Sequence, residues 1–159
     1  MTEELSKSAK RIQGALNALG AKLEVVELPA STRTSAEAAA AIGCSIKQIA
    51  KSIIFRSITT DKPVMVIASG PNRVDEEKIR GIIGEGIEKA DAEFVRKATG
   101  FAIGGIPPIG HAEPITTIID EDLLKLDEIW AAAGTPNAVF KLNPAILVQM
   151  TGGSVKAIK

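Results

Sequence analysis

The chain has 159 residues, enough for one domain around a single core, and its 45% hydrophobic and 24% charged residues are ordinary for a globular protein. Its 19 basic and 19 acidic residues cancel, which excludes a protein that grips long nucleic acid through a basic face, though not one that touches the end of an RNA. A lone cysteine, Cys44, excludes an internal disulfide and fits a reducing compartment.

Met1-Thr2-Glu3-Glu4 lacks the basic-then-apolar build of a signal peptide. No apolar run approaches the roughly 18 residues of a membrane span. The expectation is one cytoplasmic domain over residues 1–159. With aromatics at 3%, its core is built from Ala, Val, Ile and Leu.

Leu5, Ile12, Leu16 and Leu19 keep helical spacing ahead of Gly20, which predicts an amphipathic helix over residues 4–19. Residues 23–28 alternate as a half-buried strand does, and 29–33 read as loop. Thr34 and Glu37 have capping-box spacing before an alanine-rich helix that ends at Gly43, and Ser45 caps a short turn. Lys51 to Arg56 enters a strand, residues 59–62 turn, and Pro63 to Ala68 returns. The unbroken run Val64-Met65-Val66-Ile67-Ala68 predicts a central strand covered on both faces.

Asp75 and Asp91 cap the next two helices, with Val74 stapled onto Ile79 and Thr99-Gly100 ending the second. Residues 115–119 form a strand, Asp120 caps a turn, and 126–132 form a further strand that pairs back through residues 134–137 onto 138–142. Asn143-Pro144 is a cap followed by a first helical position, for a helix to Thr151. A last strand runs to Lys159. The fold class is α/β: a mixed sheet with helices packed on its faces.

Between Gly100 and His111, four glycines and two prolines fall in twelve residues. Glycine opens the main chain to close approach and proline stiffens it, so this is a shaped loop rather than a linker. It has neither the Walker pattern nor the dinucleotide spacing. Lys51 stands where an apolar strand begins, a costly place for an ammonium unless an anion or carbonyl meets it; the alternative is a lysine snorkelling from the strand end. Cys44 and His111 are the only pair from which a thiol nucleophile and base could be made. One His and one Cys give no metal-ligand set, so no metal and no cofactor are expected.

Ile49-Ala50-Lys51-Ser52-Ile53-Ile54-Phe55, the loop Gly104-Gly105-Ile106-Pro107-Pro108-Ile109-Gly110 and Thr151-Gly152-Gly153, in this order, resemble the YbaK family. That family shares its fold with the editing (insertion) domain of bacterial prolyl-tRNA synthetase, and the likeness runs from about Lys22 to the C-terminus. The resemblance implies a free-standing hydrolase of wrongly charged aminoacyl-tRNA, mostly tRNA for proline. It implies Lys51 as the active-site lysine. It implies Gly104, Gly105, Ile106, Pro107 and Pro108 as the loop that positions the amino-acid end, with Ala132 and Gly134 beside it. The partners implied are the aminoacyl-tRNA acceptor end and, with it, prolyl-tRNA synthetase or an elongation factor. In the family's cysteine-removing branch a serine stands two residues before a glycine. Here Ala132 takes that place before Gly134, which points to alanine or 2-aminobutyrate as the residue removed. The competing expectations are a thiol hydrolase using Cys44 and His111, and a binding module that keeps the fold without the chemistry.

Overall fold

A computed structural model describes residues 5–159. Helix α1 (Lys7–Ala18) starts where the Ser6 hydroxyl accepts from the Ala9 amide, and it buries Ala9, Ile12 and Leu16 on one stripe. The first residue of the helix predicted from position 4 lies outside the described residues, as does the Met1–Glu4 segment. Strand β1 (Val25–Glu27) is shorter than predicted because Gln13 of α1 accepts from Val25 N and donates to Leu23 O. Helix α2 (Ser35–Ile42) is capped by Thr34, whose hydroxyl accepts from Glu37 N, and a 3-10 turn (Ile46–Gln48) follows under Ser45.

Strands β2 (Ile49–Ser57) and β3 (Pro63–Ser69) form an antiparallel pair from Ala50–Ser69 to Arg56–Pro63. Every residue of β3 is buried. Met65 and Ile67 face the larger core with α1, whereas Val64, Val66 and Ala68 face a second cluster with Ile79. A strand with no solvent face has no use for alternation, which is why its sequence is an unbroken apolar run.

Asp75 and Asp91 cap α3 (Glu76–Ile83) and α4 (Ala92–Thr99). Between these helices lies β4 (Ile87–Lys89), which pairs with the end of β2. It is absent from the sequence reading because three residues with a single buried one carry no period. Strand β5 (Thr116–Asp120) runs parallel to β3, and Asp120 caps the 3-10 turn at Glu121–Lys125. Leu126 N closes that turn on Leu123 O, so β6 begins at Ile129 (Ile129–Ala132) rather than at 126.

Strand β7 (Ala138–Leu142) returns, and α5 (Pro144–Thr151) starts under Asn143. The final strand β8 is confined to Ser154–Lys156, because Ile158 O accepts from Asp75 N and the chain end turns onto α3. The sheet order is β1-β7-β6-β2-β3-β5-β8, with β4 also on β2. Parallel pairs (β2·β6, β3·β5, β5·β8) mix with antiparallel ones, so the fold is the mixed α/β sheet with helices on its faces. No helix among the described residues is long and apolar enough to cross a membrane.

One departure from regular pairing positions everything that follows. β6 runs beside β2 for two residue pairs only, Ile49–Trp130 and Ala50–Ala131, and then leaves. β4 joins the same edge of β2 only from Phe55 onward. Residues 51–54 therefore face a gap in the middle of the sheet.

Candidate functional site

A cavity of about 360 Å³ opens in this gap. Because the sheet is split there, both faces of β2 line it: Ala50, Ser52 and Ile54 from one side, Ile49, Lys51 and Ile53 from the other. Ala90 N donates to Ile54 O on the gap edge. Successive residues of a strand point their main-chain groups to opposite edges, so Ser52 shares its edge with Ile54 and its N–H and C=O point into the gap, where no strand faces them.

Lys51 is half-buried in the cavity wall. Its side chain makes no hydrogen bond or ion pair among the described residues. Ile106, Val95 and Val139 form apolar walls, and Ala131 and Ala132 at the end of β6 keep one wall low. The structure thus brings Lys51, Gly104, Ile106 and Ala132 to one cavity. Gly105, Pro107, Pro108 and Gly134 do not line it.

The loop works as a partition. Gly104, with φ +95°, and Ile106 face the first cavity, while Pro108, Ile109, Gly110 and His111 line a second one of about 660 Å³ beside α1 and α5. Phe101, Ile106 and Ile109 anchor the partition in the main core. Gly104 is forced by two things, its left-handed backbone and the Arg33 stem, whose Cγ would lie 2.6 Å from any added Cβ.

Gly105 has a different reason to be glycine from the ligand space expected of it. A Cβ there would meet the Thr135 main chain at 2.8–3.1 Å, and Gly105 O accepts from Gly134 N at 3.0 Å. Backbone cannot yield as a side-chain tip can. Gly105→Ala is therefore expected to lower the unfolding free energy by about 1–3 kcal/mol, read in a urea melt. An unchanged midpoint would show that the β6–β7 turn shifts freely.

Cys44 and His111 are not brought together. Cys44 packs against the cluster of Ala38, Ala39 and Ile49 and lines neither cavity, and burial pushes its thiol pKa up. A thiol that resists ionisation is a poor nucleophile. His111 Nε2 donates to Pro107 O at 2.7 Å, and burial holds its pKa below the ordinary 6.5. A depressed histidine pKa means that the unfolded chain takes up the proton first. The contribution to stability is present above pH 6.5 and is lost as pH falls below it. Cys44→Ser and His111→Asn are each expected to keep turnover within about tenfold, or about 1.4 kcal/mol of barrier. A loss of several orders of magnitude in folded Cys44→Ser would restore the thiol mechanism.

Sequence reasoning passed over Arg33, Ser35, Ser52 and Lys89, which also line the cavity. Only Arg33 carried a local signal, a charge set immediately before the Thr34 cap. Among the described residues no group of three or more His, Cys, Asp or Glu side chains is placed to hold a metal.

Residues 29–150 match the family model of the aminoacyl-tRNA editing domain. The chain belongs to this family. It is 30% identical over 132 residues to the uncharacterized protein YwhH of Bacillus subtilis (strain 168), covering 83% of each chain. It is 35% identical over 91 residues to the proline–tRNA ligase of Limosilactobacillus fermentum, which is 55% of this chain but 16% of the ligase. A solved structure described as that of a candidate trans-editing enzyme for prolyl tRNA synthetase superposes with a TM-score of 0.92 at 47% identity, covering 98% of this chain and 99% of that one. The editing-domain family is the one that the lysine strand and the glycine–proline loop resemble.

Proposed function

We propose that this editing domain is a free-standing hydrolase that removes a small amino acid from mischarged tRNA, with tRNA for proline as the main carrier. The observation that supports this most is Lys51: an ammonium without a protein partner among the described residues, set in a cavity with apolar walls beside the unpaired main-chain groups of the gap. Water attacks the ester carbonyl, the carbonyl oxygen gains negative charge, and the bond to the ribose oxygen breaks as that oxygen takes a proton. The Lys51 ammonium and the Ser52 N–H are the donors for the developing oxyanion. The attacking water is activated by the substrate's own terminal ribose hydroxyl, which accounts for a site without a triad.

The need for such an enzyme is physical. A synthetase pocket shaped for proline cannot strongly reject a smaller amino acid, since a missing methylene is worth only about 1–3 kcal/mol. A second site that admits only smaller residues corrects the error. Ala132 and Ile106 form its size filter, and with an alanine in the wall the preferred residues are alanine and 2-aminobutyrate. Prolyl-tRNA synthetase or an elongation factor delivers the substrate, and the work is done in the cytoplasm.

The test is a panel of alanyl-, aminobutyryl-, seryl-, cysteinyl- and prolyl-tRNA incubated with the purified protein. Release of alanine or 2-aminobutyrate with proline spared is the expected result. A preference for cysteine, or rapid loss of proline, would overturn the specificity. No release from any of them would leave a binding module on the same fold.

A further inference from the structure

The cavity of the editing domain is lined by three cations, Arg33, Lys51 and Lys89, and by no carboxylate. In a chain whose 19 basic and 19 acidic residues balance, that is a local excess of positive charge. None of the three makes an ion pair among the described residues, although nearby acids are engaged elsewhere, Glu88 with Arg56 and Glu128 with Lys141.

They come from three separate elements. Lys51 lies in β2, and Lys89 ends β4 opposite Phe55. Arg33 ends a loop pinned to the β6–β7 turn, where Thr32 Oγ1 donates to Pro136 O at 2.9 Å and Asn137 Nδ2 donates to Ala30 O at 3.1 Å. Its stem then lies over Gly104. Three like charges around one cavity, Lys51 half-buried in its wall and Arg33 and Lys89 exposed, give it a positive potential that an anion relieves. The Ser35 hydroxyl, which also lines the cavity, is buried without a hydrogen-bond partner and adds an unused donor.

An aminoacyl ester supplies no negative charge, because its amine is neutral or cationic. The anion that matches this lining has to come from the remainder of the substrate, and one charge at the ester does not require three cations. We infer that Arg33 and Lys89 hold the internucleotide phosphates at the 3′ end of the RNA, on either side of the gap, and leave Lys51 for the ester. This assignment rests on the editing reading for its choice of ligand. It makes Arg33 and Lys89 binding residues that position the terminal nucleoside. A net-neutral protein can thereby hold an RNA end without a basic face.

The test uses the unacylated trinucleotide 5′-CCA-3′, adenosine 5′-monophosphate and inorganic phosphate as probes, each titrated by NMR against the wild type, Arg33→Gln and Lys89→Gln. Both side chains are exposed, so the variants keep the fold, and glutamine preserves the stem over Gly104. The expected result is binding of the trinucleotide that weakens about tenfold in each variant, with the slope of log affinity against log salt reduced by about 0.7 per charge removed. A slope unchanged in both variants would overturn the assignment. So would adenosine monophosphate or free phosphate binding as tightly as the trinucleotide, since the site would then be one for a single phosphate.

A kinetic arm separates this inference from the editing reading. On alanyl-tRNA the variants are expected to raise KM about tenfold with kcat kept, while on 3′-O-alanyl-adenosine, which carries no phosphate, kcat/KM stays within about twofold. Equal losses on both substrates would place Arg33 and Lys89 at the ester and overturn the phosphate role. Trinucleotide binding with the expected salt slopes but no deacylation would sink the editing reading and leave the phosphate site standing. Deacylation without any trinucleotide binding would do the reverse.

Discussion

Replacing Lys51 with alanine is expected to lower the deacylation rate by about 100- to 1,000-fold, the range for loss of a single donor at a developing oxyanion. The argument rests on what Lys51 does not touch. A half-buried ammonium that makes no ion pair or hydrogen bond among the described residues contributes nothing specific to stability, so its removal from β2 leaves the melting curve in place. Substrate binding through the RNA end survives as well, so the loss falls on kcat. Turnover of folded Lys51→Ala within about fivefold of wild type would end the assigned role and leave catalysis to the main chain of the gap.

The second large effect is expected from Ala132→Leu. Ala132 ends β6 on the cavity wall, next to Ala131, which lines the same cavity and is buried. Ala132 is only part-buried, so a leucine there lies along the cavity wall and narrows the space beside it. Overpacking costs about 1–3 kcal/mol, which corresponds to about 5- to 150-fold in rate. The larger accepted residue suffers more, so the ratio of alanyl- to aminobutyryl-tRNA deacylation should rise. A uniform loss on both substrates would mean that Ala132 does not touch the side chain of the amino acid.

The parts of this molecule written in local chemistry are readable from the amino-acid sequence. Thr34, Asp75, Asp91, Asp120 and Asn143 each cap a helix or turn through a side-chain oxygen and an amide two or three residues on. The burial of β3 on both faces was equally plain, because a run of five apolar residues needs two covers. What could not be read was whatever depends on residues far apart in the chain. The space beside Gly105 belongs to Thr135, thirty positions away, so its role as a packing glycine has no sequence signature. The gap beside Lys51 depends on where β6 leaves β2 and where β4 arrives, and neither event alters any local pattern. Lys89 drew no reading for the same reason, since the three-residue strand it ends carries no period of its own. The resemblance to a family pointed to Lys51 and the loop as a set, but not to the partition by which only part of the loop reaches the cavity.

The interrupted pairing of β2 also sets the terms on which this protein can change. Main-chain groups left without partners in a sheet cost on the order of 1–3 kcal/mol each when water cannot reach them well. A variant in which β6 ran two residues further along β2 would satisfy the Ser52 groups, tighten the sheet and fill the cavity with backbone. Selection for stability alone drives toward that closed sheet, and only selection for the site holds it open. Stabilised descendants of this fold should therefore divide into two lineages. One gains its stability at the α3 and C-terminal side and keeps the split, and the other closes the split and retains the architecture as an inert scaffold.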